Sequence, residues 1–457
     1  MGSPIEYLDG SDSRLCSRCA TEKGVLITRK EVFCKACFIR FIRGKQRKQM
    51  QDEKYKVKYG KAKELAALNP TKILLALSMG ISSLVLFDVI ASLLQEQMEM
   101  HKGNTGFELV VLNIDEYELT SLNNSIQAVI PKLKSFFSYV DISFKVLNIN
   151  SYILDETLIK RIRLYPDFHA TMTDSDKNVS SGLKDLLLSC PNKSSAEDLL
   201  TIVFDELILR TAYVENCSTV VYGHNMTRIA NEIIALTVKG RGSSIHEKVL
   251  DHVVHYQDKS IQIVYPLKDV LRAEVEAYCN LIGLSDLKLE STKPKATINR
   301  NMTIRDLTTN YFNQLDATGY ASTASSVVKT GEKLGPPKNF ESSGSQSITQ
   351  CQVCGIDIHQ NPQNWLKRIT VNESAPLVTE EDEEYLKLYN ESKSAMASLG
   401  ETEESEAITN PLGICYGCIV TLSSIKAEDG FLWPIRNSAQ EKEDILNEYI
   451  LTEDEEE

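Results

Sequence analysis

Eight of the chain's eleven cysteines fall into four C-x-x-C pairs: Cys16/Cys19, Cys34/Cys37, Cys351/Cys354 and Cys415/Cys418. Two residues between thiols let one tight turn present both sulfurs to a single ion, and two such turns close a tetrahedral site with no open position. Fourteen residues separate Cys19 from Cys34, a length that suits a β-hairpin between two knuckles. The spacing therefore predicts a structural zinc held by Cys16, Cys19, Cys34 and Cys37. The second set has 60 residues between its pairs, many of them acidic. One zinc shared by Cys351, Cys354, Cys415 and Cys418 across a disordered insertion fits that gap, because loop-closure cost grows slowly with length. The alternatives are a set built from Cys351, Cys354 and His359 with a fourth ligand elsewhere, and a redox use of the pairs. Cys190, Cys217 and Cys279 stand alone and are expected to be buried as small hydrophobes.

With 457 residues, 42% of them hydrophobic and 25% charged, the chain is too apolar for disorder and long enough for two or three folded units. Its most apolar stretch, 72–94, is broken by Ser78, Gly80, Ser82, Ser83 and Asp88, so no membrane span is expected. The first residues show no basic segment followed by an apolar core, so no signal peptide is expected. The net charge of −13 hides an asymmetry. Residues 14–63 hold 16 Lys/Arg against 4 Asp/Glu, whereas 373–457 hold 5 against 22. The basic head predicts a phosphate-tracking surface at Lys45, Arg47, Lys48 and Lys56, extended by Arg29, Lys30, Lys35, Arg40 and Arg43, with Tyr55 and Tyr59 placed to stack on unpaired bases. A solvated linker is the competing reading of the same segment.

Between 70 and 289 short apolar runs alternate with helical patterns. Strands are predicted at 72–77, 108–114, 143–149, 219–222 and 261–265, and helices at 83–100, 119–137, 195–214, 227–239 and 268–282. Ser194 and Glu197 suggest a capping box for the third helix. Fully apolar strands alternating with helices predict an α/β fold with a mostly parallel sheet covered on both faces. Ligands of such sheets sit beyond the carboxyl ends of the strands. Two turns of small and polar residues occur there, 78–83 and 223–228, each aiming a helix N-terminus at an anion. The domain organisation expected is a zinc module at 1–44, a basic linker or helix at 45–69, the α/β domain at 70–316, a linker at 317–347, a second zinc module with an acidic insertion at 348–436, and an acidic tail at 437–457.

Together the two turns, their spacing and the flanking cysteine pairs resemble the ATP-pyrophosphatase (PP-loop) family of adenylating enzymes, and within it the degenerate second-subunit branch of tRNA 2-thiolation. The family's first loop is S-G-G-x-D-S. Ser78, Gly80 and Ser83 match it, while Met79 replaces a glycine and Ser82 the aspartate. The second motif is G-H-N-x-D-D. Gly223, His224 and Asn225 match, and Thr227 and Arg228 replace the acidic pair. Residues 237–242 (TVKGRG) and 265–269 (YPLKD) also look like the subunit family. Aligned with the active subunit's C-x-x-x-R-R-x-A pattern, Asp205 stands where its first sulfur-handling cysteine belongs, and no cysteine lies between Cys279 and Cys351 for the second. Met79 is expected to crowd the loop backbone, and a side chain at Gly80 to impair folding or assembly.

What the resemblance implies is a noncatalytic or weakly catalytic subunit. Its homologous active partner would bind ATP and Mg²⁺ and adenylate the wobble uridine of a cytoplasmic tRNA, and a thiocarboxylated ubiquitin-related modifier would supply sulfur. An active ATP-dependent tRNA-adenylating thiolase and a zinc-dependent RNA-binding scaffold are the competing readings.

Overall fold

The computed structural model describes residues 5–9, 12–60, 70–116, 126–152, 159–164, 170–174, 183–190, 192–288, 302–320, 322–335, 349–358, 379–398, 413–423 and 431–434. The chain opens with a three-stranded antiparallel sheet, β1 (Ile5–Tyr7), β2 (Leu26–Thr28) and β3 (Glu31–Phe33), followed by helix α1 (Lys35–Gln49). Then come β4 (Lys72–Ala76), α2 (Ile81–Met100), β5 (Glu108–Asp115), α3 (Ile126–Phe136), β6 (Ile142–Asn148), β7 (Ile159–Leu164), β8 (Ala170–Asp174), α4 (Leu183–Ser189), α5 (Lys193–Val214), β9 (Thr219–Tyr222), α6 (Met226–Val238), α7 (Ile245–Val249), β10 (His252–Tyr256), β11 (Lys259–Val264) and α8 (Arg272–Ile282). The C-terminal part carries α9 (Ile304–Ala317), α10 (Ser322–Gly331), β12 (Thr349–Gln350), β13 (Asp357–Ile358), α11 (Glu380–Ser398), α12 (Tyr416–Leu422) and β14 (Phe431–Pro434).

The central sheet has the order β10-β11-β9-β4-β5-β6 and is parallel except where β10 pairs with β11. The pleat sends alternate apolar side chains to opposite faces. Ile73, Leu75, Leu109, Val111 and Val221 enter one core with α2 and α8; Leu74, Val110, Leu112, Val220 and Ile263 enter the other with α6. That two-sided burial is why these strands are continuous apolar runs. The only described helix long and apolar enough to cross a membrane, α2, is mostly buried as a core element of this domain.

Several expectations are corrected. Strand β10 was not foreseen: its alternation is masked by His252 and His255, and its two-residue turn, Gln257-Asp258, lacks the usual Asn-Gly pair even though Gln257 adopts φ +52°. Helix α5 starts at Lys193, not Ser195, because Asn192 rather than Ser194 caps it; Asn192 Oδ1 accepts from Ser195 N at 2.7 Å. The Ser/Thr-rich stretch expected as linker carries α10, which buries Ala324 and Val328 in the same core as α6. Part of the insertion expected to be disordered forms α11, whose first turn gathers Glu380, Glu381, Asp382 and Glu383 at the positive end of the helix dipole. The expectations at 437–457 and for His359 lie outside the described residues.

The N-terminal module is also less detached than its charge suggests. Leu26, Phe33, Phe38 and Ile42 are continuous with the α2 core. Arg29 clasps the fully buried Glu274 with Nε at 2.7 Å and Nη2 at 2.8 Å, and Thr28 Oγ1 donates to the same carboxylate at 3.1 Å. Arg43 Nε donates to Tyr278 Oη at 3.1 Å, which donates to Asp88 at 2.6 Å. Arg29 and Arg43 are therefore docking groups and leave the proposed RNA patch. Arg29→Ala should lower unfolding free energy by about 2–3 kcal/mol, less than for a fully enclosed pair because the arginine keeps about a third of its side chain in water. Denaturant titration checks this, and a loss under about 0.5 kcal/mol would mean that the apolar contacts alone hold the module.

Candidate functional site

After β4 the chain turns through Leu77-Ser78-Met79-Gly80 into α2. Met79 adopts φ +59°, the left-handed region that suits the glycine it replaces. Its side chain is buried in the α2 core, so the expected crowding of the loop does not occur. Ser83 Oγ donates to Gly80 O at 2.9 Å and lies 3.2 Å from Ser78 Oγ. The hydroxyls of the turn thus satisfy one another. Gly80 itself is extended (φ −77°), and a Cβ there would meet nothing closer than Ser78 Oγ at 3.5 Å.

The stringent glycine is in the second turn. A Cβ on Gly223 would lie 2.7 Å from Ser83 Cα and 2.9 Å from Ser83 N. The β9–α6 turn therefore packs backbone against the start of α2. Asn225 fastens the contact: its Oδ1 caps α6 by accepting from Arg228 N at 2.9 Å, and its Nδ2 donates to Ser82 Oγ at 2.9 Å. His224 stacks on Tyr265 with centroids 5.4 Å apart and contacts Tyr222 at the same distance. Burial, with Arg228 nearby, holds the imidazole down at about 4. At pH 7 it is neutral and gives an anion no countercharge.

These residues line a cavity of about 750 Å³. Thr227 is buried, with its Oγ1 3.3 Å from Arg272 N, and Arg228 is exposed at the mouth. Three of the carboxylates that line the cavity, Asp205, Glu232 and Glu276, are paired with cations, the last with Arg272 at 2.8 Å, whereas burial pushes the Glu247 carboxyl up to about 7. Asp205 accepts from Lys248 at 2.7 Å. Burial pushes the Glu232 carboxyl up, but Arg305, hydrogen-bonded to it at 2.6 and 2.9 Å, and Arg228 outweigh this and hold it at about 2. Among the described residues no His, Cys, Asp and Glu side chains converge in the cavity as a metal-ligand set.

Two such sets exist elsewhere. Cys16, Cys19, Cys34 and Cys37 bring their sulfurs within 4.8 Å of one another, and so do Cys351, Cys354, Cys415 and Cys418. In the first, Cys34 caps α1 and its sulfur accepts from Cys37 N at 3.5 Å; hydrogen bonds from Thr21 hold the Cys19 thiol down at about 6. In the second, Cys351 and Cys354 bracket a knuckle whose Gly355 adopts φ +72°, and Cys415 N donates to Cys351 Sγ at 3.3 Å. Four clustered thiols with no open position fit a tetrahedral, thiolate-preferring ion. The C-terminal four come together despite the intervening 60 residues; Cys34 and Cys37 do sit where β3 passes into α1, but their sulfurs converge with those of Cys16 and Cys19 rather than standing as a lone pair. Of the lone cysteines, Cys217 and Cys279 are buried as expected and Cys190 is only partly buried; burial pushes the Cys217 thiol up to about 12.

The proposed RNA residues lie on and just beyond α1. Arg47 and Lys48 are exposed, Arg47 paired with Glu96; Lys45 Nζ sits 5.6 Å over the Phe41 ring; Lys56 pairs with Glu53. Tyr55 does not project for stacking. It is buried edge-on against Phe107, while Lys54 Nζ donates to Thr219 at 2.9 Å, pinning this segment to the sheet. Tyr59 is exposed.

A family model described as "Cytoplasmic tRNA 2-thiolation protein 2" matches residues 303–420. The protein of that name from Debaryomyces hansenii is 58% identical over 456 residues, covering 100% of this chain and 99% of its own. The chain belongs to the cytoplasmic tRNA 2-thiolation protein 2 family. The Scheffersomyces stipitis member is 56% identical over 99% of both chains. The U34-tRNA thiolase NcsA from Methanococcus maripaludis, solved with its [4Fe-4S] cluster, aligns with a TM-score of 0.47 at 16% identity over 79% of this chain and 99% of its own. In this member of the 2-thiolation protein 2 family, the polar side chains of the two turns are spent on each other. Sequence patterns missed the buried charges Asp198, Arg241 and Arg305 and the half-buried Glu232 of the cavity lining; only the TVKGRG stretch at 237–242 hinted at one of them.

Proposed function

We propose that this chain is the noncatalytic subunit of a heterodimer that 2-thiolates the wobble uridine of cytoplasmic tRNAs. The observation that carries the reading is the charge arrangement at the cavity. Positions that would hold Mg²⁺-supporting carboxylates carry Ser82, Thr227 and Arg228, and of the other carboxylates lining the cavity Asp205, Glu232 and Glu276 are tied to Lys248, Arg305 and Arg272. Adenylation builds negative charge on phosphate oxygens, and catalysis depends on a metal or fixed cations aimed at it. The residues present do not fit a bound Mg²⁺–ATP. ATP and Mg²⁺ belong to the homologous active thiolase subunit, and sulfur comes from a thiocarboxylated ubiquitin-related modifier. Ser78, Gly80, Ser83, Gly223, His224 and Asn225 act as a rigid pair of turns. The two cysteine clusters hold zinc, which supplies folding energy and no chemistry. The name its relatives bear supports a cytoplasmic setting.

The test is pyrophosphate release from Mg²⁺–ATP in the presence of tRNA. The isolated chain should release none above background, and the chain with its homologous subunit should release it. Release by the isolated chain would favour an active thiolase, whereas failure to pair with any homologous subunit would favour an RNA-binding scaffold.

Lys45, Arg47, Lys48 and Lys56 are assigned to tRNA phosphates. The surface pairs of Arg47 and Lys56 are worth at most about 1 kcal/mol, so phosphates can displace them. Reversing all four charges should weaken tRNA binding and flatten its salt dependence, by about 0.9 in log–log slope per duplex contact and about 0.7 per single-stranded one. Filter binding across a salt series reads both quantities. An unchanged slope would return the segment to a solvated surface.

A further inference from the structure

We propose that Arg241 is the buried counter-ion of the C-terminal four-cysteine cluster, and that filling this cluster with one divalent ion, as an anionic tetrathiolate, clamps the C-terminal module onto α5 and α6. The proposal goes beyond the thiolation reading and does not depend on it.

The geometry begins where α6 ends. Gly240 turns the chain with φ +70°, and Arg241 follows with a side chain only 8% exposed. Its Nη2 donates to Gly417 O at 2.9 Å and Thr421 Oγ1 at 2.8 Å, both on α12, and its Nη1 lies 3.8 Å from Cys418 Sγ. The two segments interlock through their glycines. A Cβ on Gly240 would fall 2.8 Å from the Tyr416 ring, and one on Gly417 would fall 2.6 Å from Arg241 Cγ. Each glycine therefore seats the other segment's side chain. The fit is built for an arginine at this position.

Charge balance supplies the second argument. Lys239, Arg241 and Arg305 are all buried around Asp198. Lys239 takes the short contact to Asp198 at 2.7 Å, and Arg305 takes Glu232 at 2.6 Å in addition to Asp198 at 3.3 Å. Arg241 is left with Asp198 at 3.7 Å and with the sulfurs. Four neutral thiols would leave the guanidinium poorly compensated in a low-dielectric interior. Four thiolates around a divalent ion carry a net charge of minus two, and N–H groups aimed at metal-bound ligands tune and retain the metal. Binding the ion releases the thiol protons to solvent. The N-terminal cluster, whose Cys19 and Cys37 are partly exposed, serves as an internal comparison.

The experiment uses the full chain with its metal. EDTA and iodoacetamide are added together, and alkylation is followed cysteine by cysteine by peptide mass spectrometry. Arg241→Met should speed labelling of Cys351, Cys354, Cys415 and Cys418 by about 10-fold or more while Cys16, Cys19, Cys34 and Cys37 keep the wild-type rate. Arg241→Lys should recover most of the loss, since it restores charge but not the fork. In Co²⁺-substituted protein, Arg241→Met should shift the thiolate-to-metal charge-transfer band of the C-terminal site to lower energy, which loss of packing alone would not do. Should Arg241→Met fail to fold, hydrogen exchange of the wild type during stepwise chelation decides: protection at 239–241 and 417–421 should vanish together when the C-terminal ion leaves. A metal-free C-terminal cluster, iron with acid-labile sulfide in place of one ion, equal acceleration at both clusters, an unshifted band, or protection that outlasts the ion would each overturn the proposal.

Discussion

Gly223→Ala should destabilise the chain by about 3 kcal/mol, the upper part of the range for overpacking. The added carbon meets Ser83 Cα at 2.7 Å and Ser83 N at 2.9 Å, and backbone at a helix N-terminus has no rotamer through which to yield. The start of α2 and the β9–α6 turn would have to separate, stretching the Asn225–Ser82 hydrogen bond of 2.9 Å. For a domain of this size the melting temperature should fall by roughly 6–12 °C. Gly80→Ala is the control. Its Cβ enters ordinary contact distance of Ser78 Oγ only, so the loss should stay under about 0.5 kcal/mol. Differential scanning calorimetry of both variants checks the contrast. Equal losses would mean that both turns are constrained by something other than this backbone contact.

A comparably large effect is expected at the N-terminal cluster. Cys16→Ala removes one of four converging sulfurs, and protein purified without chelator should lose about one equivalent of metal. Apparent binding free energies of roughly 10–16 kcal/mol for structural zinc in small modules exceed what so small an apolar core supplies alone. Strands β2 and β3 should therefore lose hydrogen-exchange protection. Because Leu26, Phe33 and Phe38 share the core of α2 and α8, the main domain should lose stability too, rather than shedding a passive head. Unaltered metal content, or protection of Leu26–Thr28 equal to wild type, would count against a metal-built module.

The contrast between glycines 80 and 223 illustrates what the sequence makes legible. The apolar runs at 72–77, 108–114 and 219–222 announce a parallel sheet because burial on both faces removes any need for polar alternation. C-x-x-C spacing likewise encodes a local turn that needs no tertiary information. What stays hidden depends on partners far away in the chain. Arg29 looks like one more cation in a basic head until Glu274, 245 residues on, is found beneath it. Tyr55 looks like a stacking platform until Phe107 covers it. Helix α10 is hidden by serines and threonines, and its assignment rests on Ala324 and Val328 meeting α6. Met79 is the instructive residue of the site. Its identity suggests a blocked loop, but it adopts a positive φ and its side chain is buried in the core. What sets these turns apart from the family's loop motifs is chemistry: Ser82, Thr227 and Arg228 stand where those motifs carry acidic residues.

That distinction is tested most directly by wobble 2-thiouridine measured in cells whose only copy of this chain carries Ser83→Ala at normal abundance. Ser83 Oγ is occupied by Gly80 O and Ser78 Oγ, and among the described residues no group of three or more His, Cys, Asp or Glu side chains converges on the cavity to hold a metal. The modification should remain close to the wild-type level, while the equivalent change in the homologous subunit's intact loop should abolish it. Loss of 2-thiouridine with Ser83→Ala, in complexes that still assemble, would show that this subunit handles ATP itself and would contradict its noncatalytic assignment.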